Sequence, residues 1–356
     1  MGSPYDRPLR FCPDFPARVE RWEAWWRFQA DRPLVFLSVG TRRDIRWDKA
    51  FDLLEQPDAW LRVRRAQLEA THWAGDDVPS IRVDIGPVAT AAFVGAPLHF
   101  SREENTGWQT PIVGVWDPPP RLALDRGNRW HRAVMALLRH TAEDAAGRYL
   151  VMMPDYSGAV DMLANLRGAE SLLLDLYDNR EAVIAAATRL VDAWEETFRE
   201  TNAILAAAGA GMTTWVGAVS RTPYTLPTCD FNYMIGPGDF IETCLPSLRD
   251  QARRAGRCVL HVDGPGAANH AAAIANAPEV TAVQYTPGAA TPSALAKIDI
   301  FRCWQSAGKP VVVCCPKEEV PEILRQLDHR GLLISPSGVR TPQEADALAA
   351  LIRRGR

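Results

Sequence analysis

The segment from His261 to Gly264, His-Val-Asp-Gly, carries the residues of this sequence that are best suited to chemistry. It ends an apolar run that predicts a β-strand, and residues i and i+2 of a strand point to the same face. The His261 imidazole and the Asp263 carboxylate are therefore predicted to be neighbours. A nearby carboxylate raises the pKa of a histidine, so we expect an imidazolium that donates a proton or holds a substrate carboxylate. Gly264 and Gly266 would let the backbone approach a ligand closely.

Other polar and aromatic residues follow the ends of further predicted strands. Asp84 is predicted to be catalytic together with His261 and Asp263. The same position after a strand also suits a turn residue, and an aromatic residue there also suits the core. The predicted substrate-binding residues are Asp155, Tyr156, Trp215, Asp230, Gln284, Tyr285 and Gly264.

The adjacent residues Cys314 and Cys315 face opposite sides of any strand that contains them, so at most one reaches the site. We expect no metal and no cofactor. The alternative is a zinc ion bound by His261, by Cys314 or Cys315, and by one further ligand. The seven cysteines include no CxxC pair and are predicted to be mostly buried thiols.

Eight short apolar runs, each followed by a turn and a helical pattern, set the predicted fold. Runs that are apolar on both faces are typical of parallel strands covered by helices. They predict a (β/α)8 TIM barrel of the α/β class with extra N-terminal helices. A doubly wound sheet is the alternative, but no strand is followed by a complete GxGxxG. The predicted strands are residues 34–39, 81–85, 149–153, 212–216, 257–262, 280–285, 310–315 and 331–334.

The 356 residues are predicted to form one domain, 1–356. The barrel and its flanking helices would occupy 18–350, and the stretch 86–148 would form a loop-rich side layer. Active sites of such barrels lie at the C-terminal ends of the strands, which is where all the candidate residues above are expected. That edge is therefore the predicted pocket for a small-molecule substrate.

The composition excludes several classes of function. The net charge is −3, so the chain has no excess of cations for nucleic acid or an anionic membrane. No apolar run approaches the roughly 20 residues of a membrane helix. The first residues lack the apolar stretch of a secretory signal, and we expect a cytoplasmic protein.

Several segments resemble the uroporphyrinogen decarboxylase superfamily. The similarity covers roughly residues 18–350, and it implies a TIM barrel. The superfamily includes the haem-pathway decarboxylase and zinc methyltransferases that move methyl groups between corrinoid proteins and thiols such as coenzyme M. Barrels of this superfamily often pair, which implies a homodimer. The segments that carry the resemblance are 154–168, 179–183, 230–240 with Pro246, 261–264, 284–288 and 335–344.

The chain also departs from the motifs of that superfamily. The decarboxylase has an arginine-rich N-terminal motif, for which Arg42-Arg43 is only a weak substitute, and Asp84 stands where it keeps its catalytic aspartate. The decarboxylase's C-terminal histidine has no counterpart near Ser335. The zinc methyltransferases carry His-x-Cys after the fifth strand, where this chain has His261-x-Asp263, and a later cysteine, where it has Ser337 or Gly338. The resemblance is therefore to a divergent branch, the uroporphyrinogen-decarboxylase-like proteins.

Three functions remain open from the sequence. The first is a cofactor-independent lyase, most simply a decarboxylase of a small or cyclic carboxylated substrate, with His261 and Asp263 as the acid and base. The second is a zinc- or corrinoid-linked methyltransferase with a corrinoid protein as partner. The third is a barrel that binds a ligand without catalysis.

Overall fold

A computed structural model describes residues 2–40, 54–86, 89–101, 106–288 and 293–354. These residues form a mixed α/β fold in which helices cover mainly parallel strands. The strands are β1 (Leu34–Val39), β2 (His72–Gly75), β3 (Ser80–Arg82), β4 (Leu98–Ser101), β5 (Thr106–Gln109), β6 (Leu150–Met152), β7 (Met212–Thr213), β8 (Tyr224–Thr225), β9 (Arg257–Asp263), β10 (Ala282–Thr286), β11 (Val311–Pro316) and β12 (Leu332–Ser337).

Helices occupy most of the chain between these strands. The longest of them is α7, which is followed by Gly209. This glycine has the left-handed backbone conformation that is typical of a helix C-cap, and the sequence pattern predicted a helix end there. The helices are α1 (Phe15–Trp26), α2 (Pro57–Ala70), α3 (Ala89–Phe93), α4 (Arg129–Ala145), α5 (Ala159–Arg167), α6 (Ala169–Asp178), α7 (Arg180–Ala208), α8 (Pro237–Asp239), α9 (Leu245–Ala255), α10 (Gly264–Ala267), α11 (Ala271–Ala275), α12 (Ile298–Ser306), α13 (Val320–Gln326) and α14 (Pro342–Arg354).

The larger sheet has the strand order β2-β1-β12-β11-β10-β9-β8. Its pairs are parallel except for β2, which runs antiparallel to β1. The register places Gln284 of β10 beside His261 of β9, and Thr286 beside Asp263. This register carries the candidate residues of two strands to one edge of the sheet.

The smaller parallel sheet has the order β3-β6-β7. All eight strands predicted from the sequence are therefore present, but in the described residues they are divided between two sheets. The α/β class is confirmed, whereas ladder hydrogen bonds do not close the eight strands into one barrel within the described ranges. β2 and β8 were not predicted. They are the two edge strands of the larger sheet, whereas a closed barrel has no edge strands.

The stretch 86–148 is more regular than the loop-rich layer that the sequence predicted. It contains α3, the antiparallel β4–β5 hairpin and the 17-residue helix α4. Asn128 caps α4 by accepting a hydrogen bond from the backbone N–H of Trp130 at 2.9 Å. Arg42 and Arg43 lie outside the described residues.

One cluster of buried hydrophobic side chains extends from Tyr5 to Ile352. The N-terminal tryptophans belong to this core. Trp22 and Trp25 are fully buried, and Trp26 donates a hydrogen bond from Nε1 to the carbonyl of Val219 at 2.8 Å. The division into one domain, 1–356, stays a prediction. Within the described ranges, no helix combines the length and the apolar character needed to cross a membrane.

Asp76 is the buried charge that holds β1 to the N-terminal helix. Its carboxylate accepts hydrogen bonds from Arg32 at 2.7 and 2.9 Å, from Arg21 at 3.0 Å and from the backbone N–H of Val35 at 3.1 Å. Burial alone would raise the pKa of Asp76, but the two guanidinium groups outweigh burial and lower it below its usual value.

We expect Asp76→Asn to destabilise the fold by about 3 kcal/mol at pH 7, because it leaves two partly buried guanidinium groups without their counter-charge. The ionised form is favoured by folding, so this stability is fully present above the unfolded pKa of about 3.9. It is lost as the pH falls through the lower pKa of the folded state. Urea unfolding of both proteins at pH 7 and pH 3 measures the difference. Asp31→Asn, at an exposed neighbouring position, is the control, and an equal loss in that control would contradict the assignment.

Candidate functional site

The described residues that group as possible metal ligands are Asp230, His261 and Asp263. One ligand atom from each lies within 4.8 Å of the others. His261 and Asp263 lie two residues apart on β9 with their ligand atoms close together, and Asp230 begins the turn 230–234 beside them. Nε2 of His261 is 3.9 Å from Oδ1 of Asp230. An imidazole and two carboxylates thus lie close together at the C-terminal end of β9.

The orientation of His261 is set by the neighbouring strand. Its Nδ1 is hydrogen-bonded to Oε1 of Gln284, whose own Nε2 donates to Oγ1 of Thr286 at 2.8 Å and to Sγ of Cys314 at 3.3 Å. Because the amide nitrogen is used in this way, the amide oxygen must face the imidazole. We therefore assign the proton to Nδ1, which leaves the lone pair of Nε2 directed at the two carboxylates.

Trp215 packs against the imidazole from the other side. The two rings meet edge to face with centroids 5.0 Å apart. His261 is only 9% exposed, and burial lowers its pKa, an effect that the Gln284 hydrogen bond and Asp263 only partly oppose. The sequence predicted the opposite, an imidazolium favoured by Asp263. That prediction was wrong because the loss of hydration exceeds the attraction of one carboxylate.

Asp161 of α5 positions the Asp230 turn and was not predicted. It accepts hydrogen bonds from the hydroxyl of Thr228 at 2.6 Å, and from the backbone N–H groups of Asp230 at 2.9 Å and Phe231 at 3.0 Å. Burial, and then the Asp230 charge, raise the pKa of Asp161 to about 6. The loss of hydration at Asp230 and the charge of Asp263 raise the pKa of Asp230 to about 6 as well.

A cavity of about 410 Å³ adjoins this cluster. Trp215 and Cys314 line it and also contact His261 and Gln284, respectively, so the two parts of the site share a wall. A cavity of this size suits a small molecule. Its lining consists of Phe36, Arg64, Gln67, Leu68, Thr71, Trp73, Ser80, Ile81, Arg82, Asp84, Met152, Trp215, Val216, Val312, Cys314 and Ser335.

Asp84 lies in this cavity and not in the His261 cluster. It forms an ion pair with Arg82 and accepts a hydrogen bond from the backbone N–H of Gly86 at 2.8 Å. The backbone N–H of Asp155 is 3.4 Å from the same carboxylate. Burial, and then the charge of Asp84, raise the pKa of Asp155 to about 7. Asp155 can therefore carry a proton near neutral pH.

Besides Asp155, four predicted residues lie outside both the lining of this cavity and the His261 cluster. Tyr285 is buried against Phe301 of α12, with ring centroids 5.7 Å apart, so it belongs to the outer helix layer. The Tyr156 hydroxyl is 2.7 Å from that of Thr201 on α7, and only a cavity of about 10 Å³, room for about one water molecule, adjoins its ring. The remaining two are Gly264 and Cys315.

The glycines after β9 make room for a side chain and not for a ligand. Gly264 has a φ of +77°, and a Cβ on Gly266 would lie 2.7 Å from the Tyr233 ring. On β11, Cys315 is buried, whereas Cys314 faces Gln284 and the cavity. Neither cysteine belongs to the group of possible metal ligands in the described part of the chain. The predicted zinc set of His261 with a cysteine is therefore not assembled.

No protein-family model and no curated protein matches this sequence. Among solved structures, the chain is similar to a methyltransferase from Methanosarcina mazei, with a TM-score of 0.64 and 13% sequence identity. The alignment covers 95% of this chain and 98% of that one. The two chains share a fold. At this identity the likeness establishes the architecture, and the function must be argued from the site.

We expect His261 in metal-free protein to titrate below the ordinary histidine value of about 6.5, because burial disfavours the imidazolium. The NMR signals of His261 are assigned by their absence in His261→Gln. They should also show that the proton lies on Nδ1, the nitrogen that is hydrogen-bonded to Gln284. In Gln284→Glu, a carboxylate replaces the amide oxygen and should raise the midpoint by about one unit or more. A midpoint above 7 in the unsubstituted protein would show that the carboxylates dominate after all.

Proposed function

We propose that this protein is a metal-dependent methyltransferase of the uroporphyrinogen-decarboxylase-like superfamily. The observation that carries the proposal is the convergence of His261, Asp230 and Asp263 within 4.8 Å beside a small-molecule cavity. The fold shared with a methyltransferase over nearly the whole chain supports it. That likeness favours methyl transfer over the lyase function, which the sequence analysis placed first. We further propose that the two sheets together represent the (β/α)8 barrel of that superfamily.

The three residues fit a divalent metal ion. Two carboxylates and the lone pair of an imidazole repel one another unless a cation or a proton lies between them. Oδ1 of Asp263 is buried and has no hydrogen-bond partner among the described residues. Gln284 holds the imidazole by its other nitrogen, which is the usual support for a metal-bound histidine. Three protein ligands would leave a coordination position for a substrate, as in catalytic zinc sites.

A bound metal ion would lower the pKa of a methyl acceptor such as a thiol. The methyl group would leave the cobalt of a corrinoid as a methyl cation, so that cobalt retains the bonding electron pair and the acceptor sulfur forms the new bond. The thiol proton would pass to solvent. Within the chain, Gln284 keeps the imidazole in its Nδ1–H form, Asp161 fixes the turn that carries Asp230, and Trp215 excludes water from one side of the imidazole.

We expect the purified protein to bind about one zinc ion per chain, and His261→Ala or Asp263→Asn to weaken zinc binding by about 100-fold or more. This exceeds the roughly 10–100-fold effect of removing a residue that only supports a ligand. Competition with a chelating dye measures the affinity. Cys314→Ser should bind zinc normally, since this thiol lies outside the ligand group, and Asp178→Asn provides an exposed aspartate control. If Cys314→Ser lost zinc while Asp263→Asn retained it, the proposed ligands would be wrong, and the set that contains a cysteine would be favoured.

Methyl transfer itself is tested with methylcobalamin as donor and 2-mercaptoethanesulfonate or homocysteine as acceptor. We expect zinc-loaded protein to convert methylcobalamin to demethylated cobalamin, followed by its visible spectrum, and His261→Ala to lower the rate by at least about 100-fold. The corrinoid partner protein and a homodimer are proposals from the resemblance. Full turnover of a substrate by protein stripped of metal would reject the metal-dependent mechanism.

A metal-free lyase is the second candidate function. The environment of Asp155 favours it. With a pKa near 7 and an unpartnered buried Oδ1 among the described residues, Asp155 could protonate the carbon that loses CO2. The ion pair of Arg82 with Asp84 lies close by. For this mechanism Asp155→Asn should abolish turnover while His261→Ala has little effect, which is the reverse of the expectation for methyl transfer.

A further inference from the structure

We propose that Arg64 and Arg82 form a binding site for the charged group of a small organic anion. The ligand class is an oxyanion with two exposed oxygens, such as a carboxylate, a phosphate ester or a sulfonate. The site lies in the 410 Å³ cavity, on the side formed by α2 and β3. It is separate from the residues proposed to hold a metal ion.

Among the described residues, Arg64 is a buried cation without a counter-charge of its own. Its residue surface is 8% exposed, yet it lines the cavity, and its Nη1 is buried with no hydrogen-bond partner in that part of the chain. The guanidinium group stacks over the Trp60 ring at 5.0 Å, which holds its plane but satisfies none of its N–H groups. Burial, and then the charge of the nearby Arg82, lower the pKa of Arg64 to about 10, and Asp84 opposes them only in part. Leaving such a charge uncompensated is costly.

The next residue of the same helix shows the ordinary arrangement. Arg65 donates to the carboxylate of Asp144 at 2.9 Å, and so forms a complete ion pair on the outer side of α2. Several other partly buried arginines also have an acidic partner within hydrogen-bond distance. Such pairs are Arg32–Asp76, Arg167–Asp175 and Arg257–Glu23. Arg64 therefore differs from these arginines, because no acidic side chain of the described residues forms a comparable pair with it.

The second arginine leaves the cavity with a surplus of positive charge. Arg82 is paired with Asp84, so two guanidinium groups share one carboxylate. Nε of Arg82 is also buried and has no hydrogen-bond partner within the described ranges. A guanidinium group presents its N–H donors as a planar fork that matches the two oxygens of a carboxylate or phosphate. An oxyanion would supply both the missing charge and the missing acceptors.

The rest of the cavity suits the organic part of such a ligand. Phe36, Leu68 and Ile81 provide apolar surface beside the arginines, and Trp215 lies toward the His261 cluster. A molecule held at one end by Arg64 would therefore extend toward the proposed metal ligands. The anion site does not depend on methyl transfer, because a lyase with the same cavity would bind the same charged group.

The test measures binding and not turnover, so its outcome is independent of the proposed reaction. The full chain is titrated with sodium phosphate, sodium acetate and sodium methanesulfonate at constant ionic strength, with sodium chloride as reference, and unfolding is followed thermally. We expect at least one oxyanion to raise the melting temperature in a saturable way that chloride does not reproduce. The oxyanion with the largest effect identifies the chemical group.

Arg64→Met should weaken binding of that oxyanion by about tenfold or more in calorimetric titration, corresponding to loss of a charge-assisted hydrogen bond. Arg62→Met removes the same charge from an exposed position of the same helix and should leave the affinity unchanged. Without added anion, Arg64→Met should melt at or above the temperature of the unsubstituted protein, because an unpaired buried charge is removed.

Three results would overturn the proposal. One is the absence of any oxyanion-specific stabilisation of the unsubstituted protein, which requires no variant. Another is unchanged oxyanion affinity in Arg64→Met. The last is a melting temperature of Arg64→Met well below that of Arg62→Met, which would make Arg64 a structural residue. Should Arg64→Met not fold, Arg64→Lys keeps the charge but loses the planar fork, and it should bind the oxyanion measurably more weakly.

Discussion

The hydrogen bond between His261 Nδ1 and Gln284 Oε1 determines what the candidate site can do. The amide of Gln284 is itself oriented by Thr286 and Cys314, so its oxygen has one available direction. The imidazole is consequently held with its second nitrogen toward Asp230 and Asp263. This arrangement depends on the parallel register of β9 and β10, because a shift of one residue would turn Gln284 to the helix layer.

Charges of opposite sign occupy the two parts of the site. The cavity side carries two cations, Arg64 and Arg82, against the single carboxylate of Asp84, and all three come from the first quarter of the chain. The cluster side carries the carboxylates of Asp230 and Asp263, which come from the second half. Trp215 lines the cavity and contacts His261, so it adjoins both parts. An electrostatic arrangement of this kind orients an asymmetric ligand before any chemistry occurs.

The strands were predictable because each is a short, mainly apolar run, and the His261–Asp263 pair was predictable from the two-residue repeat of a strand. The same repeat shows why Tyr285 could not join Gln284 beside His261, since adjacent strand residues face opposite sides. The sequence alone could not decide between Cys314 and Cys315, because the outcome depends on which face of β11 the helices cover.

Other features escaped the sequence for physical reasons. Arg64 lies in the run Arg-Val-Arg-Arg, which has the composition of a solvated helix face, and only tertiary packing buries it. The low pKa of His261 depends on how much water the fold removes, and no local pattern reports that. Asp161 was missed because its partners are backbone N–H groups about 70 residues away along the chain. The edge strands β2 and β8 lack apolar runs altogether.

The pairing of β1 with β12 has a consequence for how the molecule forms. Leu34 is the register partner of Leu333, so a central ladder of the larger sheet joins segments about 300 residues apart. Closing so long a loop costs entropy before any contact compensates it, and such contacts slow folding. During synthesis the edge of β1 that pairs with β12 has no native partner until nearly the whole chain has emerged, whereas β2 can pair with the opposite edge early. The antiparallel β2 would then leave β1 with one open edge instead of two, which limits aggregation while the C-terminal strand is still being made.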